Sequence, residues 1–463
     1  MIAAVVNMLR DMGYAINQNA YGVIKICDDW YKARKTDAHR RMRVNGQHYE
    51  LERMGFGRRV AADDANLCEV VEINAGGNGE AQFEFVNGIF AENRFDTQYR
   101  KQLELTSAEG TAACYVWLDD AELYADGSVK GGRIRLNYVD ALGFIPLTVV
   151  NDEVIEAAFV GEHMIGAEKE YTALVCLRVD GVYCYFVRAF DKNGELIPER
   201  SQDVQLGEVK PFAVLRTAQV NTIDDMEGFG YPKLYDVIPI LKGLDAGFTA
   251  LLGDIDTSEK ITLINEILCK FDDKGNPVTP SEEFKRRFVL LGEKLPSQKE
   301  IIYEIVPEIR VEVFENTLQL LLNMLSQQFG YGTKKYILNK EAKTVTTATE
   351  YIGDRQDMMQ ELNKQRGEAR EYITGIVRAV LWFANAYHGD KWDVDAEVLV
   401  EFDDSYVTNK AEQLEGIRQD VLAGIGGTYV RALYLMQKYN LEEKEARKWA
   451  TAEDTDVGTE TED

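Results

Sequence analysis

Residues 346–387 form the pattern that most restricts what this chain can fold into. The stretch TTATEYIGDRQDMMQELNKQRGEAREYITGIVRAVLWFANAY contains no proline. It predicts a helix of about forty residues, which is about 60 Å long and roughly twice the diameter of a small domain. Gly353, Gly367 and Gly375 are weak helix breakers at which this helix can bend. A helix of this length connects distant parts of an assembly, and it is a poor scaffold for an active site.

A second helix precedes it across a short polar loop. Residues 310–329 predict a helix with one buried apolar stripe, made by Val311, Phe314, Leu318, Leu321, Leu322, Leu325 and Phe329. The loop GYGTKKYILNKEAKTV then carries four lysines and a single acid, Glu341.

Composition favours a structural role. The 463 residues allow two to four folding units, and 45% hydrophobic content supports large cores. The formal net charge of −26 repels nucleic acid and acidic membranes unless basic residues cluster locally. The six cysteines include no CxxC pair and are expected to be small buried hydrophobes in a reducing compartment. The start MIAAVVNMLRDMGY does not resemble a signal peptide, and no apolar run is long enough to span a bilayer. We therefore expect a soluble protein that is intracellular at synthesis.

The first half of the chain divides into a helical start and a β-rich region. Ile2, Val5, Val6, Leu9 and Met12 predict a short amphipathic helix, and residues 34–43 form a local basic cluster. Residues 60–211 are expected to be an antiparallel β domain, because several segments alternate with period two. Turn signals at 76–77, 126–127, 180–181 and 191–194 predict hairpins, and the last two predict a three-stranded meander.

The second half is expected to be mainly helical. A helix with one apolar face follows Tyr231-Pro232, and Pro239 is expected to kink it or to delay its start. Residues 260–306 predict a small α/β insert between this helix and the next. A short strand within AEVLVEFDDSYV precedes helices near 409–424, 428–438 and 441–451, and the acidic tail after them is expected to be disordered.

Motifs for catalysis or metal binding are missing from the sequence. It contains no phosphate-binding GxxxxGK[ST], no HExxH and no GxSxG, and GFGYPK at 228–233 has the wrong spacing for a dinucleotide-binding turn. The four histidines lie far apart, and DKNGE at 191–195 lacks most ligands of a calcium loop. Adjacent acids could in principle act in a hydrolase or hold metals, but 78 acids make such pairs common by chance: Asp28-Asp29, Asp63-Asp64, Asp119-Asp120, Asp224-Asp225, Asp272-Asp273 and Asp403-Asp404. No enzyme, cofactor or metal is expected.

The loop lysines have two interpretations. Lys334, Lys335, Lys340 and Lys343 either decorate a solvated loop tip or contact phosphates without reading bases. Composition alone leaves both open.

Three stretches resemble the portal proteins of tailed phages, of the siphophage type found with Gram-positive hosts. Leu241-Lys242, Leu244-Asp245 and Phe248 resemble the family's first stem helix, and "TATE" at 347–350 is a frequent word in its long helix. The stretch EFDDSYVTNK through EEKEARKWA resembles its C-terminal crown, although Gly424-Ile425-Gly426-Gly427 replaces the usual Leu-Ile-Ser. The resemblance covers roughly residues 205–455, and residues 1–200 correspond only in general character.

The resemblance implies an α+β portal fold with a mixed β-rich wing, a helical stem, a small α/β clip, a long kinked helix and a helical crown. Its parts would be a wing at 1–232 (β-rich at 60–211), stem helices at 233–259 and 307–330, a clip at 260–306, a tunnel loop at 331–345, a long wing helix with its return strand at 346–408, a crown at 409–452 and a disordered tail at 453–463.

The function implied is a head-to-tail connector at one capsid vertex. Twelve copies would form a ring through which double-stranded DNA is packaged by the terminase large subunit and later ejected. Head-tail adaptors, the major capsid protein and scaffolding proteins would be its other partners, with no membrane partner. The chain would assemble in the host cytoplasm and remain in the virion. Lys334, Lys335, Lys340 and Lys343 would then be the DNA-contacting residues of the tunnel loop. Another connector or capsid-associated protein, and a soluble hydrolase using paired acids, stay as alternatives.

Overall fold

The computed structural model is an α+β protein. It describes residues 3–42, 46, 48–75, 79–120, 122–123, 129–166, 168–258, 261–265, 273–274, 288–291, 302–305, 308–332, 335–338, 348–403, 410–422, 427–439 and 443–452. The chain divides into two compact units, one of residues 1–66 and 75–398 and the other of residues 67–74 and 399–463.

Helices α1 (Ala3–Asp11) and α2 (Gln18–Tyr31) begin the larger unit, followed by the hairpin of β1 (Arg40–Met42) and β2 (His48–Glu50) and by α3 (Phe56–Ala65). Val5, Val6 and Leu9 are buried as the amphipathic pattern predicts. Met12 is 39% exposed because the helix ends at Asp11, and Ile2 lies outside the described residues.

The next segment corrects the prediction that residues 60–211 are uniformly β-rich. Helices α4 (Glu80–Glu92) and α5 (Phe95–Glu109) occupy much of its first third, together with the end of α3. A 3₁₀ turn and the short strand β3 (Val70–Asn74) lie between α3 and α4. Aromatic stacking of Phe90 on Phe95 and of Phe95 on Tyr99 buries these rings where α4 meets α5. The aromatic residues of this first third therefore pack in helices, because tertiary context overrides β-propensity.

A five-stranded antiparallel sheet follows the order β12-β11-β10-β9-β8. Its strands are β8 (Phe144–Val150), β9 (Glu153–Ile165), β10 (Glu168–Val179), β11 (Val182–Phe190) and β12 (Leu196–Gln205). The meander is confirmed: Asp180 and Gly181 both have positive φ, as a tight hairpin turn requires. Asp191 closes the next turn by accepting hydrogen bonds from the amides of Asn193 and Glu195. The signals at 76–77 and 126–127 lie outside the described residues.

The core on this sheet is formed with α1. Val5 and Leu9 of the helix pack against buried strand residues, each fully buried side chain contributing about 1.5–3 kcal/mol relative to exposure. The strand residues of this cluster are Ile145, Ala158, Ala173, Val175 and Phe190.

A second sheet has β4 (Thr111–Asp119) between β13 (Phe212–Arg216) and β7 (Arg133–Asp140), and a two-residue pair β5 (Glu122–Leu123) and β6 (Val129–Lys130) lies between β4 and β7 in the chain. The backbones of Gly110 and Gly230 cross where this sheet meets the chain entering the next helix. A Cβ on Gly110 would lie 2.2 Å from the Gly230 oxygen, and one on Gly230 would lie 2.3 Å from the Gly110 oxygen. Only glycine fits at either position.

Helices α6 (Lys233–Thr257) and α7 (Val311–Gln328) pack against each other as an antiparallel pair. A small sheet lies between them in the sequence. Helix α6 leads to β14 (Ile261–Asn265), β15 (Phe288–Leu291) and β16 (Ile302–Ile305), in the order β15-β14-β16, and then to α7. Leu318 and Leu321 of α7 pack against Gly247 and Gly243 of α6, and Arg310 binds Asp254 with two hydrogen bonds of 2.8 and 2.7 Å. The order of these contacts makes the helices antiparallel.

One alternative for Pro239 is excluded: α6 begins at Lys233 and contains the proline, so Pro239 does not delay the start of the helix. Pro239 and Tyr235 are both exposed, and water can satisfy the carbonyl that proline leaves without a donor. The prediction that Val311 is buried is wrong: it is the first residue of α7 and is 56% exposed.

Helix α8 (Ala348–Phe383) confirms the long helix, with a π-helical turn following at Ala384–His388. At 36 residues it is about 54 Å long. Its second half is mostly buried, apart from an exposed edge at Arg370, Glu371 and Arg378, and it packs on β13 and β4. Gly375 permits this approach, because a Cβ there would lie 3.0 Å from the Ala213 Cβ.

The smaller unit pairs β3 with β17 (Leu399–Phe402) and contains α9 (Lys410–Leu422), α10 (Gly427–Tyr439) and α11 (Glu443–Ala452). The three helices predicted near the end of the chain are confirmed. Ala432, Ala446 and Ala450 form the buried contact between α10 and α11. None of the helices in the described part of the chain combines the length and apolarity needed to cross a membrane.

Candidate functional site

The segment after α7 contains the one predicted DNA-contacting lysine that the structure describes. Lys335 is exposed, and its Nζ lies 5.0 Å from the centre of the Tyr331 ring. This cation–π contact is worth about 0.5–1 kcal/mol at an exposed site. Lys334, Lys340 and Lys343 lie outside the described residues, so the structure does not test whether the four lysines come together.

Two tyrosines fix this segment to the end of α3. The Tyr336 hydroxyl donates to Asp63 Oδ2 at 2.9 Å, and the Tyr331 hydroxyl donates to Asp64 Oδ1 at 3.3 Å. The Tyr336 ring also packs edge-on against Phe56, with 5.8 Å between ring centres. We call these two hydrogen bonds, Tyr331–Asp64 and Tyr336–Asp63, the tyrosine–aspartate anchor.

Gln319 of α7 holds the same segment from the other side. Its Nε2 donates to the Tyr336 carbonyl at 2.7 Å, and its Oε1 accepts from the Leu338 amide at 2.9 Å. One side-chain amide thus pairs with two backbone groups two residues apart, as a neighbouring strand would. The backbone at Lys335 therefore lies between fixed points at Tyr331, Tyr336 and Leu338.

The aspartates of the anchor are paired with cations. Arg59 Nε lies 3.0 Å from Asp63 Oδ2, and Lys233 Nζ lies 3.1 Å from Asp64 Oδ2. Lys233 is the first residue of α6 and is also 3.9 Å from Glu361 of α8. The end of α3, the start of α6, the middle of α8 and the segment after α7 therefore meet at one polar cluster.

The electrostatics keep both tyrosines as hydrogen-bond donors. Burial, reinforced by the charge of Asp64, raises the pKa of Tyr331 well above its ordinary value. Burial and the charge of Asp63 do the same to the pKa of Tyr336. Both phenols therefore stay protonated near neutral pH, and the cluster is suited to positioning rather than proton transfer.

Two other acid pairs among the described residues have structural partners. Asp28 is buried and contacts Lys25, Lys32 and Arg34. Asp119 and Asp120 pair with Arg135 and Arg133 across neighbouring strands. Within the residues the structure describes, no group of three or more His, Cys, Asp or Glu is placed to hold a metal ion. Asp272 and Asp404 lie outside those residues.

His39 and Asp245 form a buried pair that ties residues 36–54 to α6. Their Nε2 and Oδ2 atoms are 3.3 Å apart, and the His39 ring stacks on Trp30 with 4.9 Å between centres. Asp245 also accepts a 2.8 Å hydrogen bond from the Met54 amide. Burial raises the pKa of Asp245 despite these contacts. The pair lacks a nucleophile and an open cleft, and it acts as a structural link.

A cavity of about 770 Å³ lies beside the second sheet, between the turn joining β8 to β9, strand β13 and helix α8. Basic and acidic side chains alternate around it, and Arg216 pairs with Asp152 at 2.9 Å. Burial raises the pKa of Glu368, which lies at its wall. Sequence reasoning did not find this cavity, because its lining comes from segments more than 200 residues apart.

Sequence reasoning also missed the tyrosine–aspartate anchor and Gln319. Asp63-Asp64 was visible as one of several acid pairs, but nothing in the sequence distinguished it from the others. Its partners are 267 and 273 residues away.

Comparison with known proteins identified no family. No protein-family model and no curated protein matches the chain. Among solved structures, it is similar to a chain in the neck of a native GTA (gene transfer agent) particle computed with C12 symmetry, at 10% identity and a TM-score of 0.38. It is also similar to a chain in the neck of an empty GTA particle computed with C6 symmetry, at 11% identity and a TM-score of 0.42. Each match covers 82% of this chain and 89% of the other.

Proposed function

We propose that this chain is a portal protein, which forms a ring-shaped DNA channel at one vertex of a phage capsid. The proposal rests on the order of the elements along the chain. Helix α6, a small three-stranded sheet, helix α7, a lysine-bearing segment and the long helix α8 follow one another. This is the order of first stem helix, clip, second stem helix, tunnel loop and long helix that the sequence resemblance implies.

The proposed ring consists of twelve copies, the number that the family resemblance implies. The copies are joined head to tail, because a heterologous contact that closes on rotation produces a ring. DNA passes through its centre during packaging by the terminase and during ejection. Head-tail adaptors bind the clip, residues 260–306. The proposed location is the virion, after assembly in the host cytoplasm with capsid and scaffolding proteins.

Charge gives the channel its physical rationale. At −26 per copy, twelve copies carry on the order of −300 formal charges, so a wall rich in acids repels the phosphate backbone and lets DNA slide. A ring of Lys335 side chains, held between the anchor and Gln319, then supplies transient phosphate contacts at a fixed height. These contacts need no base readout.

Electron microscopy of the purified full-length chain tests the proposal. We expect rings with a central hole wide enough for double-stranded DNA. Thinner rings without the paired-helix projection would favour a head-tail adaptor. Small compact particles at all concentrations would contradict any ring and would leave the hydrolase alternative.

A further inference from the structure

Strand β13 has no neighbouring strand on one side, because it lies at the edge of the second sheet. The Thr217 amide donates to the Gly110 carbonyl just beyond one end of the strand. The Val116 amide donates to the Pro211 carbonyl at the other end. In an antiparallel pair, residues that bond to the neighbouring strand alternate with residues whose amide and carbonyl face outward. The backbone groups of Val214 therefore point away from the sheet.

Gln365 of α8 confirms this alternation and covers the next part of the edge. Its Nε2 donates to the Arg216 carbonyl at 2.9 Å, and its Oε1 accepts from the Ala218 amide at 2.9 Å. Phe212, the other outward residue of β13, is fully buried. Within the part of the chain that the structure describes, nothing bonds to the Val214 amide or carbonyl. An edge with an unpaired donor and acceptor is a template for another extended chain.

Val214 lines the cavity of about 770 Å³ beside the second sheet. This volume lies within the range of ligand pockets in proteins, about 300–1,000 Å³. Helix α8 forms one wall, and the turn joining β8 to β9 forms the other. Ion pairs hold this turn beside β13, since Asp152 lies 2.9 Å from Arg216 and Glu153 lies 2.6 Å from Lys210. An extended segment laid along Val214 would have a wall on each side.

The α8 wall has charged side chains that its own chain does not neutralise. Among the described residues, Glu368, Glu371 and Arg378 have no ion-pair partner. Burial raises the pKa of Glu368, and the charge of Glu371 adds to this although Arg216 opposes it. A cation placed beside the two carboxylates would relieve their repulsion. The wall therefore favours a basic group at one end and an acidic group near Arg378.

The spacing of these charges fits an extended chain. Helix α8 runs opposite to β13, because Gly375 packs near the start of the strand and Gln365 bonds at its end. Arg378 follows Glu371 by seven residues and Glu368 by ten, which is about 10–15 Å along the helix. Side chains four residues apart on one side of a strand are about 13 Å apart.

We propose that this groove binds an extended segment of another protein as an added strand on β13. The segment has a lysine or arginine and, four residues later, an aspartate or glutamate. It runs antiparallel to β13, the direction that is slightly more stable per residue. Its basic side chain lies beside Glu368 and Glu371, its acidic side chain lies beside Arg378, and the residue after the basic one exchanges two hydrogen bonds with Val214.

Backbone pairing supplies the affinity of such a site, and side-chain charge supplies its specificity. The residue opposite Val214 points to the same side of the sheet as Val214, so its neighbours point toward α8. The inference goes beyond the proposed function and does not depend on a ring.

Fluorescence anisotropy of labelled peptides with the full-length chain tests the charge pattern. The probe TVKVTVEVT has its lysine and glutamate four residues apart, and TVEVTVKVT is the matched control with the two charges exchanged. We expect the probe to bind at least about tenfold more tightly, because the control, bound in the same direction, brings like charges together. Equal affinities, tighter binding of the control, or no binding at up to about 1 mM would overturn the proposal.

Val214→Pro tests the backbone pairing. Proline removes the outward amide and leaves the bonds to β4, and an edge strand tolerates it where the N–H faces outward. We expect probe binding to weaken about tenfold, whereas Val214→Ala keeps the amide and should bind as the unsubstituted chain does. A probe N-methylated on the residue after its lysine should weaken equally, which tests the same bonds without altering the protein. Unchanged binding of the N-methylated probe would overturn the proposal.

The double variant Glu371→Lys/Arg378→Glu should reverse the preference, so that TVEVTVKVT binds more tightly than TVKVTVEVT. Glu199→Gln, at an exposed position of β12, is the control and should change neither affinity. An unreversed preference in the folded double variant, checked by circular dichroism, would overturn the proposal. Probe binding only to the unassembled chain, with loss of assembly in Val214→Pro, would show that a second copy fills the groove and would also overturn it. Rings that bind no probe would refute this site and leave the portal proposal standing.

Discussion

Two aspartates at the end of α3 determine where the segment after α7 lies. Asp63 and Asp64 accept from Tyr336 and Tyr331, while Arg59 and Lys233 balance their charge. Removing the Tyr336 hydroxyl takes a donor from buried Asp63 and leaves Arg59 as its partner, and a buried carboxylate that loses a donor costs more than the hydrogen bond itself contributes. The anchor should therefore respond strongly to small changes.

Tyr336→Phe removes one hydroxyl from the anchor and nothing else. We expect the free energy of unfolding to fall by about 1.5–3 kcal/mol, as for a hydrogen bond to a charged group. Urea denaturation measures it, and Tyr235→Phe, at an exposed position of α6, is the control. In a double-mutant cycle, Asp63→Asn should destabilise the Tyr336→Phe variant less than it destabilises the unsubstituted chain, because only its ion pair with Arg59 is then left to lose. Fully additive effects would show that the two groups do not interact.

Glu109 makes stability depend on pH. Its side chain is fully buried, and its Oε2 accepts a 3.3 Å hydrogen bond from the Ala141 amide. Burial, and then the charges of Asp140 and Asp28, raise the pKa of Glu109 well above its ordinary 4.5, although Lys32 opposes them. Because the pKa of Glu109 is higher in the folded state than in the unfolded state, its full contribution to folding stability is present below about pH 4.5. That contribution to the free energy of unfolding is lost as the pH rises through the folded-state pKa.

Glu109→Gln removes this titration while keeping an acceptor for the Ala141 amide. We expect the variant to be more thermally stable than the unsubstituted chain above the folded-state pKa, with the gap closing as pH falls toward 4.5. Unfolding temperatures measured across this pH range check it. If the difference between the two unfolding temperatures widened toward low pH, the raised pKa of Glu109 would be contradicted.

At the residue scale, the sequence records charge but not partners. It placed Lys335 among four loop lysines and Asp63-Asp64 among six acid pairs, and it distinguished neither from the rest. Hydrogen bonds between residues more than 260 positions apart depend on the fold, and no local pattern records them.

Helices α6 and α7 pack closely because glycines face leucines. A Cβ on Gly247 would lie 3.0 Å from Leu318 Cδ2, and one on Gly243 would lie 3.1 Å from Leu321 Cδ1. The antiparallel pair is closed at its far end by Arg310 and Asp254. The separation of the two helices is therefore set by the size of residues 243 and 247.

Gly247→Leu should push the helices apart. We expect a loss of about 1–3 kcal/mol in the free energy of unfolding, the usual cost of overpacking. The matched control is Gly253→Leu in the same helix, because a Cβ at Gly253 meets nothing within 4 Å. That control gains helix propensity, by up to about 1 kcal/mol. Equal effects of the two substitutions on urea denaturation would contradict close packing at Gly247.

At the element scale, long periodic segments were predictable and short mixed ones were not. The predicted bounds of α7 and of the last three helices agree with the structure within a few residues. In α7 the apolar residues recur at helical spacing over the whole segment, which made its bounds predictable. The region containing α4 and α5 was included in the predicted β domain, because the period-two segments on which that prediction rested lie later in the chain. Pro239 was expected to kink α6 or to delay its start, and the helix begins at Lys233 with the proline at an exposed position inside it.

At the scale of the whole molecule, an acidic chain with a local basic segment is expected to handle DNA without binding it tightly. Lys335 is exposed at a fixed position, whereas charge elsewhere is dominated by the 78 acids. In the proposed channel, the acidic wall lets DNA slide and the lysines hold it transiently. The lysines should affect the DNA and leave the ring unchanged.

Lys335→Gln, and the double variant Lys334→Gln/Lys335→Gln, test this separation in assembled particles. We expect rings to form normally while the amount of DNA packaged or retained changes, more for the double variant, because phosphate contacts are lost. Lys192→Gln, at an exposed hairpin turn, is the control and should change neither. Failure of ring formation in the lysine variants would mean that these lysines are structural.

The most direct test of the central claim is a side-chain-resolution cryo-electron microscopy map of the assembled chain with double-stranded DNA. The portal proposal predicts a closed annulus of twelve copies with Lys335 facing the duplex. An open or monomeric particle, or a ring with residues 331–345 directed away from the central hole, would contradict it.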